Sequence, residues 1–156
     1  MTMTLLPRRW YSWDFRLVSG DRTLAELDLS SWRERAVVTI GGHEHRVYRE
    51  GMVSGDFVIE RHGQVLARGT KPSAFTSRIV VTHDGRQYTL RKKSIWKRAF
   101  ILLEGDREIG SLSPNSWLTR DATVSLPPDW PLAVKTFVTW LAIILWKRDA
   151  SAAAGA

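Results

Sequence analysis

The chain has 156 residues, 44% of them hydrophobic and 25% charged, with a formal net charge of +7 and no cysteine. That size and composition fit one ordinary globular domain and exclude a disordered chain. The missing cysteines exclude disulfides, thiolate catalysis, cysteine-based metal sites and S-palmitoylation. The positive charge favours anionic partners, such as phospholipid head groups or nucleic acid, and says nothing about fold.

The first ten residues carry no apolar run of signal-peptide length. From Phe15 onward one pattern is written three times. Phe15, Phe57 and Phe100 open the copies, spaced 42 and 43 residues apart. Gly20, Gly63 and Gly105 follow at the first turn. Trp32, Phe75 and Trp117 come next, each followed three residues later by an arginine: Arg35, Arg78 and Arg120. A repeat of this length is the mark of a structure built from one supersecondary unit.

Each copy reads as two hairpins. In the middle copy the strands are Asp56–Glu60 and Gln64–Gly69, then Arg78–Thr82 and Arg86–Arg91. The second pair is joined by His83-Asp84-Gly85, and Asp-Gly is among the strongest hairpin signals. The run from Arg86 to Arg91 alternates polar and apolar, as a strand with one buried face does. Between the hairpins, Pro, Ser and Asn mark a turn that carries the repeated aromatic as a plug. The arginine after it is placed to cap the plug, by stacking or by bonding turn carbonyls.

The third copy stops after Leu126. Pro127-Pro128-Asp129-Trp130-Pro131 leads into an apolar run, Leu132 to Trp146, interrupted by Lys135. Asp129 offers an N-cap and Lys147-Arg148 suit the negative end of a helix. The expected helix covers about 130–147, inside a domain of 1–149, with 150–156 a disordered tail. Such a helix is apolar on every face, so it either spans a membrane or lies buried. Pro131 to Trp146, sixteen residues, reaches roughly 24 Å against roughly 30 Å of hydrocarbon. The expectation is a core helix and no transmembrane span.

Three copies of four strands, less the missing pair and plus an N-terminal strand, give about 11 or 12 strands. A closed barrel of that size leaves an interior about 13 Å wide, which fits one helix of about 10–12 Å. The expected fold is therefore mainly β: a closed antiparallel barrel threaded by an apolar C-terminal α-helix.

This plan resembles the tubby C-terminal-like superfamily, nearest to its LURP-one-related and scramblase-like members. The stretches that look alike are Gly55-Asp56-Phe57, Leu66-Ala67 with Phe75, and Asp129-Trp130-Pro131-Leu132 through Phe137, Trp140-Leu141 and Trp146. The resemblance covers roughly residues 10 to 148. It implies a helix-filled barrel and an association with phosphoinositides or membranes through basic side chains. The chain departs from the scramblases in lacking a cysteine cluster and an acidic calcium loop. No lipid-binding position of the family maps onto a residue here.

For chemistry, the sequence offers one basic connection that breaks the repeat, residues 92–98. Together with Arg91 it gives a candidate anion- or lipid-binding set: Arg91, Lys92, Lys93, Trp96, Lys97 and Arg98. A tryptophan within a cationic loop has the composition of an interfacial membrane contact. The alternative is that Trp96 folds over the barrel mouth and the lysines face water. His43, His45, His62 and His83 fall toward one rim, where turn histidines are ordinarily solvated, and their spacing matches no metal motif. No nucleophile elbow, phosphate-cradling loop or carboxylate pair is present.

The expected function is a non-enzymatic binding module at anionic phospholipid surfaces, cytoplasmic and peripheral to the membrane, with no cofactor or metal. The alternatives are a nucleic-acid-binding protein, with Arg33, Arg46, Arg49, Arg61 and Arg86 supplying charge, or a structural or protein-interaction domain with no ligand.

Overall fold

A computed structural model describes residues 2–9, 12–29, 34–51, 55–73, 77–94, 97–116 and 119–155, with the side chain of Lys97 left aside. Twelve strands precede one helix. They are β1 (Thr2–Pro7), β2 (Phe15–Ser19), β3 (Arg22–Leu29), β4 (Arg35–Ile40), β5 (His43–Arg49), β6 (Phe57–Arg61), β7 (Gln64–Thr70), β8 (Ile79–His83), β9 (Arg86–Ser94), β10 (Lys97–Glu104), β11 (Arg107–Pro114) and β12 (Ala122–Ser125). The helix α1 runs from Leu132 to Ala154. Each strand pairs with the next, and β1 closes the ring on β12, from Thr2 opposite Ser125 to Leu5 opposite Ala122. All pairings are antiparallel, so the sheet has no open edge.

The wall follows the period of two. Phe15 and Leu17, Leu27, Val38, Val47, Phe57 and Ile59, Ile79 and Val81, Leu90, Phe100 and Leu102 are all buried on its inner face. Register shifts fall between Leu17 and Val18, Ile59 and Glu60, and Leu102 and Leu103, each two residues after Phe15, Phe57 or Phe100. Such bulges bend a strand and help close a barrel. The Asp84-Gly85 turn has positive φ at both residues, 51° and 73°, as a two-residue hairpin of this kind requires.

Every residue of α1 from Val134 through Leu145 is buried. The wall surrounds the helix, so no face of it can be polar. Trp140 lies edge-on to Phe57 with ring centroids 5.7 Å apart. Opposite Phe57, Gly69 leaves the space that Leu141 fills: a Cβ there would stand 3.2 Å from the leucine's Cδ1. The polar members bond locally. Thr136 and Thr139 donate to the carbonyls of Leu132 and Lys135, and Lys135 reaches back to the carbonyl of Pro128.

The helix differs from expectation at both ends. Asp129 does not cap it. Asp129 sits in a turn closed by the Trp130 amide on the Pro127 carbonyl, and the N-cap is Pro131 (φ −56°, ψ 144°), with no side-chain cap. At the other end α1 continues past Lys147-Arg148 to Ala154, through the segment expected to be a disordered tail. Ser151 and Ala152, Ala153 and Ala154 are exposed, and alanine's high helix propensity carries the extra turns. The repeated aromatics Trp32, Phe75 and Trp117, expected to plug the turns, lie outside the described residues.

Candidate functional site at the wide mouth

An up-and-down barrel sorts its connections. The two-residue turns after β2, β4, β6, β8 and β10 fall at one end; the other end holds the connections after β1, β3, β5, β7, β9 and β11, all of them longer except the two residues after β9. The helix enters from the turn end and its C-terminal turns emerge from the wide mouth.

Charge is sorted along the same axis. Among the described residues, the turn end carries Asp21, Glu44, Asp84, Glu104, Asp106, Glu108 and Asp129, which outnumber Arg22, Arg61, Arg86, Arg107 and the buried Lys135. At the mouth cations prevail, and its carboxylates are already engaged. Asp28 pairs with Arg8. Glu34 takes Arg148 at 2.5 Å and Arg49 at 3.5 Å. Glu50 and Asp56 share Arg68, at 2.7 and 3.3 Å. Asp149 holds Lys92 at 2.5 Å. Asp121 accepts from the Thr119 hydroxyl and the Asn115 amide, and these bonds lower its pKa. Burial, then the neighbouring Arg148 and Arg49, lowers the pKa of Lys71.

The candidate set is divided by this geometry. The basic stretch was expected to be a loop, but β9 runs to Ser94 and β10 starts at Lys97, leaving only Ile95 and Trp96 between them. Strand pairing, from Lys97 opposite Ser94 to Phe100 opposite Lys92, overrides the loop-like composition. Alternation then separates neighbours. Arg91 and Lys93 are exposed on the outer wall. Lys92 falls on the inner row, after Tyr88 and Leu90, and reaches the helix. Arg98 is exposed, while its carbonyl accepts a 2.7 Å bond from the Trp146 indole. Arg91 donates to the Lys92 carbonyl at 3.1 Å. Arg91, Lys93 and Arg98 make no ion pair among the described residues. Trp96 lies outside the described residues, as do Met52 and Val53 of the neighbouring connection, and for Lys97 only the backbone is described.

Beside Arg98 a cavity of about 60 Å³ opens between the helix end and the wall. Trp13, Phe15, Pro114, Ala122 and Trp146 make its apolar lining, and Arg98, Arg120, Asp121 and Asp149 its polar lining. Arg120 lies 5.1 Å from the Trp13 ring centre and donates to the carbonyls of Ser12 and Arg9. It joins ring stacking to carbonyl bonding, the two ways expected of an aromatic cap, but on a neighbouring connection. Arg35 and Arg78 are exposed instead.

The histidines are dispersed. His43 and His62 are exposed, and His83 packs on Trp130 at 5.7 Å. His45 was expected to be solvated. It is buried, because it shares the inner row with Val47, and burial pushes its pKa down. No group of three or more metal-ligating side chains comes together among the described residues. No described helix is long and apolar enough to cross a membrane.

The fold defines a class: an up-and-down antiparallel barrel whose core is its own C-terminal helix. No family model matches the sequence, and it matches neither a curated protein nor a solved structure.

Proposed function

We propose that the protein is a non-enzymatic binding module that rests on anionic phospholipid surfaces with its wide mouth toward the bilayer. The observation that carries this reading is the sorting of charge along the barrel axis. It leaves Arg91 and Lys93 on the outer wall toward the basic mouth, and Arg98 beside them, with no ion pair among the described residues, and turns the acidic end away. A cation near an anionic leaflet contributes about 1 kcal/mol, so these three supply roughly 3 kcal/mol, a weak and reversible attachment. The helix occupies the interior that a ligand-carrying barrel would use, which favours recognition by a surface over carriage inside. The tubby-like resemblance points the same way.

Co-sedimentation with vesicles tests it. The protein binds mixed phosphatidylserine–phosphatidylcholine vesicles and not phosphatidylcholine alone. The double variant Arg91→Glu/Lys93→Glu loses most of that binding. The matched variant Arg86→Glu/Arg107→Glu, at the opposite end, keeps it. Equal losses in the two variants, or no preference for anionic vesicles, sink the proposal.

A further inference from the structure

Resting on that reading, we infer that Lys92 and Arg98 form a phosphate-binding site for one anionic phospholipid head group, and that the Asp149 carboxylate fills this site in the resting protein. Lys92 stands on the inner row at the lip of the mouth, beside β10 and Arg98. Its ammonium is 2.5 Å from an Asp149 oxygen, the place a phosphoryl oxygen would take. Arg98 and Asp149 line the same cavity, so a second cation shares that space with the carboxylate bonded to Lys92.

The helix is held one turn earlier by the Trp146 indole on the Arg98 carbonyl. It is held again at Arg148 by Glu34. Asp149 is therefore beyond the anchored part of the helix, and its side chain is 51% exposed. It leaves Lys92 by turning its side chain, without moving the core. The cavity, about 60 Å³, is too small for an acyl chain. A phosphodiester brings a full negative charge in place of the carboxylate. Its entry is then an exchange of anions at Lys92, with Asp149 released to water.

The test is a gain of binding. Asp149→Asn keeps the shape and removes the competing charge. It raises partition onto mixed phosphatidylserine–phosphatidylcholine vesicles about five-fold, the effect of one basic residue freed at about 1 kcal/mol. The gain needs Lys92: in a Lys92→Gln background, Asp149→Asn gives less than about a two-fold rise. Equal gains in the two backgrounds would reduce Asp149 to a general charge and overturn the inference. So would wild-type binding to anionic vesicles that Asp149→Asn leaves unchanged, with the surface reading intact. Absence of binding by wild type and Asp149→Asn alike removes both proposals. Displacement of the Asp149→Asn protein from vesicles by inorganic phosphate at constant ionic strength assigns the site to a soluble anion and overturns the lipid assignment.

Discussion

Arg148 and Glu34, 114 positions apart, meet in a forked ion pair, Nε to Oε1 at 2.5 Å and Nη2 to Oε2 at 2.7 Å. The pair ties the emerging helix to the lip of β4. The Arg148 guanidinium also lies 5.7 Å from the Phe57 ring centre, and Arg49 lies over the same ring at 5.4 Å. Glu34 is thus the anion that lets two arginines share one aromatic ring.

Glu34→Gln leaves those arginines facing each other without a counter-charge. Both partners are partly solvated, so the expected loss is modest, about 1 kcal/mol. Urea unfolding measures it. The loss shrinks in an Arg148→Met background, and an unchanged loss there means that the pair is not its source.

Trp140→Ala empties the centre of the barrel and costs about 3–5 kcal/mol. Trp140→Phe is the informative partner. Among the described residues the buried indole N–H finds no hydrogen-bond partner, a burden of about 1–3 kcal/mol that phenylalanine removes. The phenylalanine variant is therefore expected to lie at least about 2 kcal/mol above the alanine variant in thermal or urea unfolding.

His45 makes the wall sensitive to acid. Its folded pKa lies below the ordinary 6.5, chiefly through burial, with the Arg61 charge adding to that effect. Between the two values the unfolded chain holds the proton and the folded chain does not. Stability therefore falls as pH drops from about 6.5 toward the folded value, and this residue has no effect above that window. Urea midpoints compared at about pH 8 and pH 5 give a smaller drop for His45→Gln than for wild type.

Removing residues 150–156 takes away the exposed last turn of α1, through Ala154, and leaves Lys92–Asp149 and Arg148–Glu34 in place. The expected change in stability is within about 0.5 kcal/mol. A truncation that also removes Arg148 and Asp149 costs more and frees Lys92, so the two deletions separate by vesicle binding as well as by unfolding midpoint.

Much of the architecture is legible in the residues. Asp84-Gly85 marks its turn because few other pairs tolerate two positive φ angles, and the unbroken apolar run after Pro131 can only be wrapped. What escapes is decided over long range. Lys92, Lys93 and Lys97 look like a loop by composition, yet pairing to a neighbour carries both strands through them. The Lys92–Asp149 bond depends on where the helix comes to rest in rotation, which no local pattern encodes. Asp129 looks like a cap because of its type, yet the turn closed by Trp130 on Pro127 holds it outside the helix, and the extended Pro131 stands at the boundary. His45 looks like a rim residue until the strand phase is counted from Val47.

The order of the chain has a consequence for its synthesis. The wall is made first and its filling last. A nascent chain complete to Leu126 has twelve strands and no interior, with Phe15, Phe57 and Phe100 facing a space that only Val134 through Leu145 can occupy. The seam between β1 and β12 joins the first and last strands of the barrel, so closure waits until β12 has been made. Until α1 leaves the ribosome the barrel is an unfilled ribbon that must be kept from other ribbons, and its closure round a core is a single late event.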